Sequence, residues 1–355
     1  MLEYVYLDSW GLVPHWSVQP QEVSSIGQDE HETLETLFRN VDLSVAEEQI
    51  RQCYHATGPG RPPRNPRGVL RAFIVMRMKV VRSLRELARI LKADTRIRRL
   101  CLIGDGERGY PRSLFSRFTK RVGAERLRGI IEEKVVRLLR RNGVGEVDAV
   151  LDASFVKAWS IRHPHDSRRG FSDPDARVGR AGRTYGLGYK LHLSIDHQRI
   201  LPLASVLAPA NENEKRHGPA LLEGMKRLLG RAGARLRSVI GDPQYSSRRM
   251  RRLAEEAVIP YTSNQRRGED VLRVDRMFRA HGPEEERMEY HKRSAVESAY
   301  VFLKTQYGMT VNKVRGLGRV AVYAFLSLLC HVLNREAAEN IGRLEKAVSP
   351  TFFNT

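Results

Sequence analysis

The chain has 355 residues, enough to bury a sizeable core and to form about two or three structural units. Hydrophobic residues at 41% and charged residues at 29% are ordinary globular usage and exclude a disordered or fibrous chain. The 61 Lys and Arg against 41 Asp and Glu leave a formal charge of +20, the footprint of a protein that meets a polyanion, with nucleic acid the first candidate.

Residues 1–60 suggest no role. Glu3, Asp8 and His15 interrupt the apolar residues near the start, so the basic-then-apolar order of a signal peptide is missing. Cys53, Cys101 and Cys330 stand far apart without a C-x-x-C pair, which argues against a zinc site or disulfide framework and fits a reducing cytoplasm. Residues 61–142 carry 24 Lys and Arg against 7 Asp and Glu, so 17 of the 20 net charges fall there. This segment reads as helices. An apolar run at 69–81 follows a Pro-rich stretch, and Ser83 with Glu86 has the form of a capping box before Leu84, Leu87, Ile90 and Leu91 at helical spacing. After a Gly-rich break at 104–109, Leu114, Phe115, Phe118 and Val122 predict a short helix bearing Arg112, Arg117 and Lys120. Two short helices about a turn resemble a helix-turn-helix unit, so 61–142 is expected to be a basic helical DNA-binding domain that these three cations serve. The plainer reading is a solvated basic bundle. A longer helix at 124–141 should stop at Asn142-Gly143.

From Glu146 the pattern turns to strands, at 147–156, 186–195 and 200–208, with a polar loop at 162–183 and a hairpin turn at Asp196 to Arg199. A helix at 214–229, a strand at 237–241, a helix at 247–257, a short strand at 258–262 and two C-terminal helices follow. This order predicts an α/β unit with a mixed sheet over 143–340, then a tail at 341–355. The apolar stretch 320–333 is interrupted by Ser327 and His331 and falls short of the roughly 20 residues a membrane span needs, so it is expected in the core or at a partner surface of a soluble protein.

Asp152 lies inside an apolar strand, where a carboxylate needs a cation or hydrogen bonds to offset its burial. Asp242 ends another apolar strand, at the carboxyl edge where α/β sheets place their sites. Either could equally be a turn or cap residue. Tyr290, Arg293, Glu297, Tyr300 and Lys304 are offset by 3, 4, 3 and 4 residues and share an arc of roughly 80° on one helix face. Ala295, Val296, Ala299, Phe302 and Leu303 fall opposite, to pack on the sheet. The plainer reading is an exposed helix with ordinary surface ion pairs. Asp148 is expected at a solvated strand edge, Asp196 in the hairpin turn, and His192 as a satisfied strand residue. Residues 211–214 are expected to cap the next helix, with Glu214 a lesser candidate for a metal site.

The spacing Tyr290-x2-Arg293-x3-Glu297-x6-Lys304 resembles the Y-x2-R-x3-E-x6-K motif of a large group of bacterial insertion-sequence transposases with a DDE triad. The segments around Asp152 (Val150 to Ala158) and Asp242 (Gly241 to Ser247) resemble that group's two Asp segments. Leu84-Arg85-Glu86-Leu87 and Ser113-x-Phe115-Ser116-Arg117-Phe118 look like its N-terminal helical domain, and the likeness spans residues 65–340.

The resemblance implies a ribonuclease H-like mixed sheet with helices on both faces, preceded by the basic helical domain. It implies that Asp152, Asp242 and Glu297 are catalytic and hold two divalent ions, Mg²⁺ with Mn²⁺ as a substitute. Asp152 would bridge both ions, with Asp242 on one and Glu297 on the other. Tyr290, Arg293 and Lys304 would bind DNA near the scissile phosphate. The implied activity is cleavage and strand transfer for a bacterial or archaeal insertion sequence. The implied partners are double-stranded DNA, as terminal inverted repeats and target, and further copies of the chain in a dimer or higher oligomer at the nucleoid. Only 54 residues separate Asp242 from Glu297, which leaves no room for the long β-strand insertion of some relatives. A nuclease that cuts without joining, or a silent DNA-binding remnant, are the alternatives. A separate basic domain also implies that 61–142 could be deleted to leave a folded core.

Overall fold

The computed structural model describes residues 28–54, 64–161, 170–182, 184–262, 284–310 and 313–349, with single positions between 263 and 283. Helices α1 (Gln28–Arg39) and α2 (Ser44–Arg51) precede α3 (Pro66–Met78), which starts at Asn65, whose side chain accepts from the Gly68 amide. The helix α4 (Leu84–Ala93) has the expected cap: Ser83 accepts from the Glu86 amide, while the Glu86 carboxylate accepts from Arg82 N rather than Ser83 N. A further helix, α5 (Thr95–Leu100), lies outside the expected elements; with one buried apolar residue, Ile97, it carries too little periodicity to read. The helix α6 (Arg112–Arg141) is broken at Gly123, whose φ of 70° and ψ of 172° are not helical, so it divides where the sequence separated its two helices. Its end is the expected one, with Asn142 as cap and Gly143 at φ 60°.

Six strands form one sheet: β1 (Glu146–Lys157), β2 (Arg177–Ala181), β3 (Thr184–Asp196), β4 (Pro202–Pro209), β5 (Arg235–Gly241) and β6 (Glu256–Val258). β3 runs antiparallel to β1 along one edge and pairs β2 and then β4 along the other; β5 is parallel to β1, and β6 to β5. The order is therefore β4-β3-β1-β5-β6, with β2 an added strand inside the expected polar loop. Helix α7 (Glu214–Ala232) is capped by Asn213, as expected, and closed by Gly233 at φ 79°. Helix α8 (Arg248–Leu253) ends earlier than its sequence suggests, because 256–258 is taken into the sheet beside 238–240. Propensity there yields to tertiary pairing.

Residues opposite one another on paired strands share a face. Asp148, Val150 and Asp152 therefore lie with Ser238 and Leu193 on one face, and Ala153 with His192 on the other. Helix α9 (Glu284–His291) leads into α10 (Ser294–Thr305), which lies over the Asp152 face, where the buried Tyr300 hydroxyl donates to the carbonyls of Leu191 (2.7 Å) and Asp152 (2.9 Å). α7 lies over the opposite face, its His217 ring 4.4 Å from that of His192. Asp196 shapes the hairpin turn as expected, accepting from the amides of Gln198 and Arg199.

The last helix, α11 (Leu317–Asn340), has 24 residues, longer than the apolar stretch implied and long enough by composition to cross a membrane. It is a core helix, buried along most of its length and packed on α6, α3 and β4. α1 and α2 join the same apolar cluster, so residues 28–51 pack with the helices that follow them. These contacts run against the expectation that 61–142 can be removed to leave a folded core: α11 would lose the helices that cover it.

A buried ion pair ties these layers together. Lys134 of α6 places Nζ 2.6 Å from Glu336 Oε1 of α11 and 2.6 Å from the Asp42 carbonyl, with side chains 2% and 9% exposed. Removing one partner strands the other charge, so Lys134→Ala is expected to cost about 3–5 kcal/mol. Urea unfolding measures this, and a loss near zero would show that water reaches the pair.

Candidate active site

β1 and β5 run parallel with Leu151 opposite Gly241, so the next residues, Asp152 midway along β1 and Asp242 just past β5, stand side by side. There β5 ends. The Asp242 Oδ1 accepts from Gln244 N at 2.8 Å and caps a short turn, and the Asp152 Oδ1 accepts from Ala153 N at 2.8 Å. With Oδ1 fixed by the backbone, each Oδ2 faces the Arg293 Nη2, at 3.4 Å for Asp152 and 3.8 Å for Asp242. Glu297 Oε1 is 3.2 Å from the same nitrogen. Three oxygens within 3.8 Å of one atom cannot lie further apart than twice that distance. Two ions about 3.5–4 Å apart, with bonds of about 2 Å, span such a gap.

Burial grades across the group: side-chain exposure is 19% for Asp152, 29% for Asp242 and 58% for Glu297, so Glu297 closes the site from the solvent side. Burial raises the Asp152 carboxyl above its ordinary pKa; Arg293 and the Ala153 amide oppose this, and Asp242 adds to it. For Arg293, burial alone lowers the pKa, but Asp152, Tyr290, Asp242 and Glu297 outweigh it and the net shift is upward. Three hard carboxylates around one point suit Mg²⁺ or Mn²⁺ in donor type. Among the described residues no group of three such side chains is close enough to enclose a single ion, and the Arg293 guanidinium stands where the carboxylates meet.

The expected single helix face is corrected. Helix breaks at Lys292 and Arg293, where Arg293 N donates to Tyr290 O and Val296 N to Arg293 O, both three residues back. Tyr290 thus sits on α9, buried and beside Arg293, which opposes the upward pull of burial on its hydroxyl. Tyr300 is buried under Asp152 rather than sharing an exposed face. Val296, Ala299 and Leu303 pack inward as expected. Lys304 lines a cleft of about 410 Å³ with Asp152, Asp242, Phe155, Gln244 and Tyr245; burial lowers its pKa, partly offset by Asp152. Arg112, Arg117 and Lys120 stand exposed on α6, outside the cleft lining.

Other residues enter the site from places the sequence leaves undefined. Arg180 of β2 and the Lys190–Glu214 pair (2.6 Å) line the cleft, and Glu214 makes its contact there with lysine. Asp148 is buried, not solvated; burial would raise its pKa, but hydrogen bonds from Arg237, Lys292 and Ser238 bring it well below the carboxylate range. Its signal was its place four residues before Asp152 on one strand face. His192 is fully buried with Nδ1 2.9 Å from the Tyr245 hydroxyl, yet its Nε2 meets no partner among the described residues.

A family description, "Transposase DDE domain", matches residues 145–333, more than half of the chain, and a second, "Transposase domain", matches 22–121. The chain belongs to the DDE-domain transposase family. No curated protein matches it. Among solved structures it is similar to a piggyBac transposase synaptic complex with hairpin DNA, at 9% identity over 93% of this chain and 80% of that one, with a TM-score of 0.39. It is also similar to a pre-cleavage Mos1 transpososome, at 12% identity over 89% and 98%, with a TM-score of 0.18. Both scores fall below the level of a shared fold, and the family match alone identifies the chain.

Two outcomes follow from this geometry. Arg293→Gln removes the shared counter-charge, so the metal-free protein should melt earlier, while Mn²⁺ should bind about tenfold tighter, roughly 1.4 kcal/mol, with no cation to displace. Melting curves with and without Mn²⁺ check both signs; weaker Mn²⁺ binding would contradict the account. His192 has its pKa lowered from 6.5 to about 3, by burial first and then by His217 and Lys190. Between those values the unfolded chain binds a proton that the folded chain refuses, so this stability is full above the window and is lost as pH falls through it. Urea midpoints against pH should therefore lose part of their slope in His192→Gln.

Proposed function

We propose that this chain is the transposase of a bacterial or archaeal insertion sequence, with a ribonuclease H-like core that cuts DNA at the element's ends and joins them to a target. The observation that carries the reading is the convergence of Asp152, Asp242 and Glu297 on one cation position. The order β4-β3-β1-β5-β6, with Asp152 on the central strand and Asp242 at the end of its parallel neighbour, supports the choice of core.

Divalent ions held by the three carboxylates, Mg²⁺ or Mn²⁺, would supply charge neutralisation at the attacking and leaving oxygens of an in-line displacement at phosphorus. The protein's own part is positional. Backbone amides stop the Asp152 and Asp242 carboxylates from rotating. Arg293, a planar fork, would turn from the carboxylates to a phosphate of the DNA, and Lys304 would meet a phosphate as a compact charge. Tyr290 would support Arg293 from α9. The exposed Arg112, Arg117 and Lys120 of α6, with the exposed Arg82, Arg85 and Arg89 at α4, would grip the terminal repeats through phosphates. Two DNA ends call for two copies of the chain, and a soluble protein at the nucleoid fits these partners.

DNA flanking the reading frame, end-labelled and supplied with Mg²⁺, tests the reading. Wild type should cut it and form products covalently joined to target plasmid, and Asp152→Asn, Asp242→Asn and Glu297→Gln should each abolish cutting. Any of the three cutting at the wild-type rate would refute the assignment. Cutting without joining would leave a nuclease. Replacing Arg112, Arg117 and Lys120 singly by Ala should weaken binding to all sequences and lower the salt slope by about one per contact; an unchanged slope would move the grip elsewhere.

A further inference from the structure

Asp148 and Asp152 stand on the same face of β1, four residues apart, and adjacent cations reach both. The Asp148 Oδ1 accepts from Arg237 Nε at 2.7 Å and from the Ser238 hydroxyl at 2.8 Å, which ties β1 to β5. Its Oδ2 accepts from Lys292 Nζ at 2.9 Å, and that ammonium also meets Glu289 at 2.6 and 2.7 Å. Lys292 is the residue just before Arg293, in the turn from which α10 and Glu297 depart. The turn is therefore pinned to β1 at two points. One is the loose contact of Arg293 with Asp152 at 3.4 Å; the other is the closer, more buried contact of Lys292 with Asp148.

We propose that Lys292 and Asp148 are a positioning pair that fixes the turn carrying Arg293 and Glu297 on β1, and so holds Glu297 in reach of the two aspartates. The pair keeps the turn in register when Arg293 leaves the carboxylates for DNA. This rests on reading the three carboxylates as the reaction's metal-binding group. Neither residue touches the reacting atoms. Asp148 keeps Arg237 and Ser238 when Lys292 is neutralised, so the sheet survives the change.

Supercoiled plasmid DNA with Mn²⁺, nicked by the full chain, is the probe. Lys292→Met is expected to fold and bind DNA as wild type does, while kcat falls about tenfold or more and KM holds, the mark of a misplaced group. Lys292→Arg should recover most of the rate. Asp148→Asn should show the same kcat-only loss, and the double variant should be no slower than the worse single one, because both act through one contact. A folded Lys292→Met with the wild-type kcat, or losses that multiply in the double variant, overturns the pair. Should Lys292→Met melt early, Glu289→Gln, which removes the second carboxylate holding the Lys292 ammonium and leaves the Asp148 contacts to Arg237 and Ser238 in place, carries the same test with a smaller loss expected. Asp152→Asn run alongside keeps the two readings apart. If it nicks like wild type, the carboxylate reading falls and the pair with it; if it is dead beside a fully active Lys292→Met, only the pair falls.

Discussion

Three carboxylates around one point repel one another, and in this fold a single guanidinium holds them together. Arg293 meets Asp152, Asp242 and Glu297 through the same nitrogen, so the group is assembled before any DNA arrives. In a partly buried cleft such attractions are stronger than at an open surface, because water screens them less. The arrangement is also exchangeable, since contacts of 3.2–3.8 Å are looser than a full hydrogen bond. A cation that gathers the acids and can leave them is what a site needs if its charge is to be taken over by ions and phosphate.

The scaffold makes that gathering possible through backbone pairing. Parallel β1 and β5 bring two aspartates from far apart in the chain side by side, one within β1 and one just past the end of β5, and each is fixed through one oxygen by an amide. The third acid comes from a helix whose starting turn is tied to β1 by Lys292, and whose Tyr300 is hydrogen-bonded beneath Asp152. The acidic face is thus anchored from the sheet, from the turn and from under the strand. The basic helical layer is not an appendage to this core. α11 lies between them, and the buried Lys134–Glu336 pair crosses the same junction.

The sequence by itself determined helices α3, α4 and α6 through caps and apolar spacing, the hairpin of β3 and β4, and the three acids, through a spaced motif, one aspartate inside an apolar strand and another at a strand end. These are local signals: a Ser83 cap, a glycine at 143, or an aspartate in an apolar run is legible wherever the rest of the chain lies. Asp148 was misread because a strand-edge acid looks solvated until Arg237 from β5 and Lys292 from α9's end are brought to it. β2, α5 and the break at Lys292 left too few periodic residues to show themselves. Only the tertiary structure decided that Arg293 stands among the acids, that Tyr300 is buried under Asp152, and that the helical layer and the sheet share one core. Each of these depends on contacts between residues distant in sequence, and no local periodicity encodes which distant charge will meet a buried one.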